Sequence, residues 1–338
     1  MEDSLRLKGI NQEPSEERKK ARFLRLFKTS LTGWLFVLPA VILMAIFTFY
    51  PIVNSLITAF QQGYDGLANT YNGWGFENFR AVMQNTAGTT ADFTTCLFNT
   101  IMFAFISVPV STLIALLIAV ALSAIKPLQK LYQTVLFLPY LTNAMAMGAV
   151  FLTFFNVVGT RNNVETYGLF NNFLMLFGIP AQNWVNVSAL KQSFDPWKGR
   201  FVVILYEIWS GLPFKILILF GAIQNVNKQN YDAAKIDGAS KATTLWKITV
   251  PLISPMLSYL LITGIMGGLK AYSAIVGIFG EDMGPGNSFS MGTMVGYIYK
   301  CLDDNKTGYA AAGSLILFAI IMVVTAVNLY VSKKKVHY

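Results

Sequence analysis

The chain has 338 residues, of which 54% are hydrophobic and 13% are charged, with a formal net charge of +9 and a mean hydropathy of +0.50. Soluble domains carry about 25% charged residues, so this composition excludes an ordinary soluble enzyme and predicts an integral membrane protein. The only histidine, His337, lies near the C-terminus, and the two cysteines lack metal-ligand spacing. Histidine-dependent catalysis and a His-rich metal site are therefore excluded.

The chain opens with a polar, basic tail over residues 1–30. Basic residues that flank a membrane span are commoner than a nucleic-acid-binding tail. The first apolar run starts near Leu31 and extends past Phe49, which is enough for a bilayer that requires about 20 helical residues. We expect an uncleaved first span rather than a removable signal peptide.

Six apolar runs have the length of transmembrane helices. They cover residues 31–59, 96–125, 131–155, 201–224, 252–280 and 308–331. Long loops are predicted at 60–95, 156–200 and 281–307, and short or basic ones at 126–130 and 225–251. The sequence thus predicts an all-α membrane protein whose domain 31–331 lies between tails 1–30 and 332–338.

Three prolines fall inside these spans and are predicted to interrupt them: Pro109, Pro139 and Pro213. Such breaks are tolerated only where neighbouring groups or a water-lined cavity satisfy the freed carbonyls. Cys96 and Cys301 are predicted to be free thiols, although both could lie on the external side and pair.

Polar groups at membrane depth are candidates for a substrate pathway, because a charge there costs at least roughly 2.5–3.5 kcal/mol and usually faces an interior or a pathway. Lys270 and Tyr272 are the favoured pair, since an ammonium and a phenol donate hydrogen bonds to sugar hydroxyls. Alternatively, Lys270 pairs with a carboxylate or extends to the membrane surface.

The remaining candidates have equally good structural explanations. Asn143 and Asn156 could tie helices together, and Trp209 could serve packing. Glu207 and Lys215 are eight residues apart on one helix, about 12 Å, so they cannot pair directly. Both are expected near the ends of their span, where water solvates them.

Residues 225–251, here called the knuckle, are polar and basic, yet they separate two long apolar runs. Residues 231–236 are predicted to form a short helix, with Gly238 just beyond its end, where a positive φ is favourable for glycine. Ser240 is predicted to cap a second helix that reaches Lys247. Pro251 marks the entry into the next span.

Small residues give the knuckle a surface that another protein could approach closely. They are Ala233, Ala234, Gly238 and Ala239. A solvated loop without a function is the alternative for a stretch of this kind.

The distribution of basic residues predicts the orientation. The two tails, the 126–130 loop and the knuckle hold 17 of the 26 Lys and Arg residues, whereas the other loops hold seven. The positive-inside rule therefore predicts that both termini and the knuckle are cytoplasmic.

The knuckle resembles the coupling motif of permease subunits from binding-protein-dependent ABC importers, which is Glu-Ala-Ala, three residues, Gly, nine residues, Ile-any-Leu-Pro. The matching residues here are Asp232, Ala233, Ala234, Gly238, Ile248, Val250 and Pro251, with Asp for Glu and Val for Leu. The resemblance extends from about residue 31 and is greatest to the carbohydrate branch, which includes maltose and glycerol-phosphate permeases. Further similar segments are 34–51, 75–79, 167–171, 212–214, 239–240 and 284–287.

The chain departs from that branch at two places. The loop over residues 191–200 is longer than usual, and Lys270 stands where the branch often has a neutral residue. These departures bear on which substrate is transported and not on the family.

The resemblance implies a type I importer permease fold and a transport subunit that is not itself an enzyme. It implies a second, similar permease, two ATPase subunits that use ATP and magnesium, an external solute-binding protein and a sugar or oligosaccharide substrate. The knuckle would dock on an ATPase subunit in a bacterial cytoplasmic membrane. The residues that would contact or position the ATPase are Asp232, Ala233, Ala234, Gly238, Ala239, Ile248 and Pro251.

The sequence itself agrees that energy comes from elsewhere, since no phosphate-binding Gly-x4-Gly-Lys-Ser/Thr motif occurs and no cofactor site is predicted. Other hypotheses are a permease for another polar solute such as glycerol phosphate, an autonomous secondary transporter and a membrane scaffold that transports nothing. A secondary transporter predicts inverted repeats, and the knuckle occurs once.

Overall fold

The computed structural model describes residues 33–66, 68–125, 127, 129–161, 164–185, 194–285 and 288–335. The predicted basic tail 1–30, Lys126, residues 186–193 of the long loop, Gly286, Asn287 and residues 336–338 lie outside the described residues. The chain divides into two compact units, Met1–Ile57 and Thr58–Tyr338.

Helix α1, Gly33–Phe60, contains all described residues of the first unit. Its single π-helical turn, Ala45–Phe49, is closed by the Tyr50 amide, which donates to the Ala45 carbonyl. Pro51 follows directly, and a proline lacks an N–H and pushes away the carbonyl four residues before it. The widened turn therefore absorbs the proline without ending the helix.

The second unit contains three further long helices: α3, Phe93–Ala124; α7, Pro196–Gln224; and α13, Thr307–Lys335. Asp92 caps α3 by accepting from the Thr95 amide at 2.6 Å, and Asp195 caps α7 in the same way. The pair α3–α7 makes the most extensive helix contact. Pro109 and Pro213 lie inside these continuous helices, so the prediction that they interrupt them is wrong.

The predicted third span is two helices. Helix α4, Gln129–Phe137, runs into a 3₁₀ turn at Leu138–Leu141, and α5, Ala144–Phe155, follows at an angle of 96°. Pro139 lies in the 3₁₀ turn, and Asn143 starts α5 by accepting from the Met145 and Ala146 amides. The prediction that Pro139 interrupts the run 131–155 is therefore confirmed, because the proline and the N-cap Asn143 lie within five residues of each other.

The predicted fifth span, 252–280, is also broken. Helix α10 is Ser254–Gly268 and α11 is Ser273–Phe279, with an irregular segment between them. Upstream, the knuckle helix Lys241–Leu252 meets α10 at 71°. Hydropathy identified the apolar run and missed the turn at residues 269–272, because one charged residue, Lys270, does not interrupt a long apolar window.

Helices α5 and α11 cross at two glycines. A Cβ on Gly148 would lie 2.6 Å from the Ala274 carbonyl oxygen, and one on Gly277 would collide with the Met145 carbonyl oxygen. The backbones of the two helices are thus in direct contact, and this crossing fixes the short helix α11 against α5.

The predicted long loops contain regular structure. Strands β1, Gln61–Gln62, and β2, Gly73–Trp74, pair antiparallel, as do β3, Val157–Arg161, and β4, Val164–Tyr167. Helices α2, Glu77–Met83, α6, Leu169–Met175, and α12, Met294–Asp303, complete these segments. The prediction of plain loops there is wrong.

Cys96 on α3 and Cys301 on α12 are fully buried free thiols. They belong to a core cluster that also contains Phe103, Tyr297 and Met294. Burial raises the pKa of Cys301 to about 11, so its thiol is protonated at neutral pH and behaves as a small apolar side chain.

Among the described residues, four helices are long and apolar enough to cross a membrane, or six if each bent pair forms one span. The predicted fold class, an all-α membrane protein of about six spans, is confirmed.

Candidate functional site

The first helix of the knuckle, α8, is Lys228–Ile236. It begins three residues before the predicted start because Asn227 accepts from the Gln229 amide at 2.9 Å. Its end has the predicted glycine: Gly238 has φ +68°, and the Ala239 amide donates to the Ala234 carbonyl at 2.9 Å. The Gly238 amide donates to the Lys235 carbonyl at 3.1 Å, which completes a Schellman cap.

The second helix of the knuckle, α9, is Lys241–Leu252. Ser240 caps it by accepting from the Thr243 amide at 3.1 Å, as predicted. It does not stop at Lys247, because a π-helical turn at Leu245–Thr249 accommodates Pro251 just as the turn in α1 accommodates Pro51. The last proline of the motif therefore shapes the helix without ending it.

A side-chain contact joins the two helices of the knuckle. The Tyr231 hydroxyl lies 3.3 Å from Thr249 Oγ1, and Thr249 is buried. Ala234 is also buried, with 5% of its surface exposed, so it packs inside the knuckle. The knuckle is closed by its own contacts and holds one shape.

The outer residues of the knuckle are mostly exposed within the described part of the chain. No described atom lies within 4 Å of a Cβ placed on Gly238. Asp232 and Ala233 are exposed, and the Asp232 carboxylate lies 3.7 Å from Lys235 Nζ. Ala239, Ile248 and Pro251 are partly or fully exposed.

Two large apolar side chains on the knuckle were missed by the sequence reasoning. Ile236 is 87% exposed and Trp246 is 53% exposed. Their signal was available, since both are bulky apolar residues in an otherwise polar stretch. Only the structure shows that both are exposed in the part of the chain that it describes.

Lys270 and Tyr272 lie in the irregular segment after α10 and not inside a helix, so their predicted placement within the fifth span is wrong. Lys270 is exposed, and its amide donates to the Gly267 carbonyl at 2.9 Å. The Tyr272 ring stacks on Tyr299 of α12 with centroids 4.5 Å apart. The two side chains therefore have different environments: Tyr272 packs against another ring, whereas Lys270 is exposed.

Lys270 extends a row of exposed residues along one face of α10. The row is Tyr259, Thr263, Gly267 and Lys270, and its spacing of four, four and three residues follows one side of a helix. No described atom lies within 4 Å of a Cβ placed on Gly267, so open space adjoins this face. Hydroxyl and ammonium groups are costly in hydrocarbon, which indicates that the face meets water or another protein.

The other candidates are distributed elsewhere in the unit. Asn143 caps α5, and the Asn156 carbonyl accepts from the Gly168 amide at 2.8 Å. Trp209 lies 5.5 Å from the Phe151 ring and lines a cavity of about 420 Å³ between α5, α6 and α7. The other lining side chains of this cavity are hydrocarbon or thioether groups, so the Trp209 indole N–H is the one strong side-chain hydrogen-bond donor among its described lining residues.

Glu207 and Lys215 lie in the middle of α7, so the prediction that they lie near its ends is wrong. Among the described residues the two make no ion pair, as predicted from their spacing. Lys215 is buried: its Nζ donates to the Val108 carbonyl at 3.2 Å and to Ser111 Oγ. The Lys215 ammonium therefore joins α7 to α3 by hydrogen bonds, which sequence reasoning missed.

Comparison with known proteins adds the following. Residues 92–337 match the family model described as binding-protein-dependent transport system inner membrane component. The arabinooligosaccharides transport system permease protein AraP of Bacillus subtilis is 30% identical over 96% of this chain and 95% of that protein. The lactose transport system permease protein LacF of Rhizobium radiobacter is 26% identical over 90% and 95%.

Two further comparisons extend this result. The sn-glycerol-3-phosphate transport system permease protein UgpA of Agrobacterium fabrum is 27% identical over 93% of this chain and 98% of its own. A chain from a bacterial ABC transporter involved in alginate import superposes with a TM-score of 0.75 at 21% identity, covering 93% of this chain and 99% of that one. That likeness shows the fold.

The family model covers well over half of the chain, and the most apolar helices fall inside or beside it. The resemblance inferred from the knuckle is therefore confirmed. The chain belongs to the family of inner membrane components of binding-protein-dependent transport systems, as a multi-pass membrane permease.

Proposed function

We propose that this chain is the membrane-spanning subunit of an ATP-driven importer and forms part of the pathway for a sugar or oligosaccharide. The observation that carries the proposal is the knuckle, which is closed by its own hydrogen bonds yet leaves its outer surface uncovered. A rigid surface of this kind transmits movement from a docked motor. The printed functions of AraP and LacF support the choice of saccharide.

The full importer in this proposal contains a second permease, two ATPase subunits that use ATP and magnesium, and an external solute-binding protein. The knuckle docks on an ATPase subunit, and both termini are cytoplasmic, which agrees with the excess of Lys and Arg in the knuckle and the tails. The binding protein delivers the solute on the opposite side of the membrane.

Within the knuckle the proposed roles differ by burial. Asp232, Ala233 and Ile236 are exposed and contact the ATPase surface. Gly238 provides the turn, and the buried Ala234 holds the two helices close.

In the membrane, the exposed row on α10 lines the solute pathway, and Lys270 stands at its end. The Tyr259 hydroxyl and the Lys270 ammonium are donors that a sugar can use, whereas the Thr263 hydroxyl already donates to the Tyr259 carbonyl at 2.7 Å. Water is the environment in which such a face is stable without a partner. Tyr272, Asn143, Asn156, Trp209 and Glu207 stay predictions as pathway residues.

The test is Gly238→Val, compared with Gly178→Val. Both glycines have a positive φ, +68° and +74°, and both have open space around a Cβ, so each substitution brings a similar strain of about 1–2 kcal/mol. We expect Gly238→Val to abolish saccharide uptake by cells that contain the whole importer, while the chain still inserts into the membrane. Gly178→Val is expected to transport normally.

Normal uptake with Gly238→Val would contradict docking through the knuckle. Loss of uptake in both variants would indicate strain alone and would also contradict it. A separate reconstitution of the chain without ATPase subunits tests the autonomous transporter, which predicts uptake by this chain alone.

A permease for glycerol phosphate is the second candidate, because the exposed Lys270 is a cation at the end of the polar row and UgpA is a relative. Competition between a labelled oligosaccharide and glycerol phosphate in the same uptake assay separates the two solutes.

A further inference from the structure

A guanidinium group lies where the N-terminal turns of α3 and α7 meet. Arg200, on the first turns of α7, donates through Nε to Asn99 Oδ1 of α3 at 2.9 Å. The Asn99 amide in turn donates to the Ser290 and Gly292 carbonyls, both at 2.9 Å. Because Asn99 is fully buried and held on both sides, it fixes the position of the Arg200 head group.

Two exposed aromatic rings flank the same guanidinium. Its central carbon lies 5.2 Å from the Phe98 ring centroid and 4.8 Å from that of Trp197. The two rings contact each other edge to face at 6.2 Å. Phe98 is 46% and Trp197 is 61% exposed, so the aromatic pair faces away from the protein.

Stacking occupies the faces of a guanidinium and leaves its edge donors available. Among the described residues, Asn99 is the hydrogen-bond acceptor of Arg200 and receives only Nε–H. Asp195 accepts from the Trp197 amide instead and forms no ion pair with Arg200 within the described chain. The Nη donors therefore form an unused fork, which matches the oxygens of a phosphate or carboxylate.

The depth of the group in the membrane can be derived from the helix lengths. Helix α7 has 29 residues, about 44 Å at 1.5 Å per residue, whereas the hydrocarbon layer is about 30 Å thick. A centred α7 thus extends about 7 Å beyond the hydrocarbon at each end. Arg200 is four residues from its start, about 6 Å, and the same calculation places Phe98 of α3 at a similar depth.

We propose that Arg200 binds the phosphate of a membrane phospholipid in the leaflet where α3 and α7 begin, with Phe98 near the first carbons of its acyl chains and Trp197 at the level of the head groups. A phosphodiester offers two anionic oxygens to the Nη fork at this boundary, and tryptophan rings favour the same depth. The proposal does not depend on which solute is transported.

The observations favour a lipid over a protein partner because of where the patch lies. By the same calculation Phe98 and Arg200 lie within about 2 Å of the hydrocarbon boundary, and Trp197 lies about 5–6 Å outside it, at the level of the phospholipid head groups. Both rings lie on the outside of long apolar helices and flank a guanidinium, and the nearby Asp195 forms no ion pair with that group among the described residues.

The test measures lipid binding by the purified full-length chain with native mass spectrometry. The probes are phosphatidylglycerol and a diacylglycerol with the same acyl chains, which lacks only the head group. We expect the wild type to prefer phosphatidylglycerol, and Arg200→Gln to lower that affinity roughly tenfold to a hundredfold, the range for loss of charge-assisted hydrogen bonds. Diacylglycerol binding should stay unchanged.

Two more variants complete the set. Arg200→Lys keeps the charge but loses the fork, so an intermediate affinity is expected. Arg80→Gln makes the same charge change on exposed helix α2 and should bind lipid like the wild type. If Arg200→Gln does not fold, as judged by its thermal unfolding, the comparison of Arg200→Lys with the wild type decides the question.

Equal phosphatidylglycerol affinities in the wild type and the folded Arg200 variants would overturn the proposal. So would an Arg200 variant that retains lipid and loses only its affinity for the solute-binding protein, since the patch would then be a protein interface. An equal loss of phosphatidylglycerol affinity in Arg80→Gln would show that only the net charge matters, and this result would overturn the proposal as well.

Discussion

The α5–α11 crossing and the knuckle both depend on glycine, and for opposite reasons. At the crossing, Gly148 and Gly277 are required because a neighbouring backbone occupies the space of a side chain. In the knuckle, Gly238 is required for its positive φ, while the space around it is open. The first region is completed by this chain alone, and the second exposes a surface that a partner can cover.

The largest expected effect tests the α5–α11 crossing. Gly148→Ala should prevent stable folding, because the new Cβ would meet the Ala274 carbonyl at 2.6 Å and backbone atoms cannot yield as side chains do. We expect the free energy of unfolding to fall by about 3 kcal/mol, which is the upper end of the usual range for overpacking. The measurement is the thermal unfolding temperature and folded yield of the purified chain.

The matched control is Gly221→Ala, where no described atom lies within 4 Å of the new Cβ. This change should leave stability unchanged or raise it slightly, since alanine favours a helix over glycine. Equal stability of the two alanine variants would show that α5 and α11 can move apart at little cost. Glycine at the crossing would then not be required for close backbone contact.

The next effect separates two lysines. Lys215→Met should lower the free energy of unfolding by up to about 2 kcal/mol, because charge-assisted bonds to the Val108 carbonyl and Ser111 are lost, offset in part by removal of a buried charge. Lys270→Met should leave the unfolding temperature unchanged and reduce uptake, since Lys270 is exposed beside the proposed pathway.

Unfolding scans of the two variants, combined with uptake by the assembled importer, check this pair. An unchanged unfolding temperature for Lys215→Met would show that the α3–α7 contact does not need the Lys215 hydrogen bonds. A destabilised Lys270→Met with normal uptake would reverse the assignment of the two lysines.

The last prediction tests the knuckle, where the expected effect is on partner binding and not on stability. Ile236→Ser should weaken binding of the ATPase subunit about tenfold to a hundredfold, which corresponds to burying one isoleucine, while stability is unchanged because Ile236 is 87% exposed. Binding of purified ATPase to the chain in nanodiscs measures it. Leu302→Ser is the control, since the Leu302 side chain on α12 is 43% exposed, and an equal loss of affinity there would argue against a specific anchor.

The knuckle was largely predictable, because its signals are local. Gly238 after an Ala-rich helix and Ser240 before the next one specify a C-cap and an N-cap through hydrogen bonds that span only a few residues. The extent of α9 was not predictable in the same way. A proline such as Pro251 can either end a helix or be accommodated by a widened π-helical turn before it. The structure shows the widened turn, and the local sequence did not indicate which of the two would form.

The membrane helices show where local signals fail. Hydropathy does not distinguish a straight span from the 96° bend after Leu141 or the break after Gly268, because the average over a long window is dominated by the apolar helices that flank each break. The burial of Lys215 was equally hidden, since its partners Val108 and Ser111 are more than 100 residues away in the chain.

The sequence by itself determined the membrane class, the approximate number of spans and the two caps of the knuckle, since each follows from composition or from hydrogen bonds between near neighbours. It also indicated the family, through the resemblance of the knuckle to a known motif. The tertiary structure alone decided which spans bend, that Ala234 is buried while Ile236 is exposed, and that Arg200 lies between two exposed rings. These features depend on which distant segments pack together, and that is set by the shapes of whole helices rather than by any short pattern.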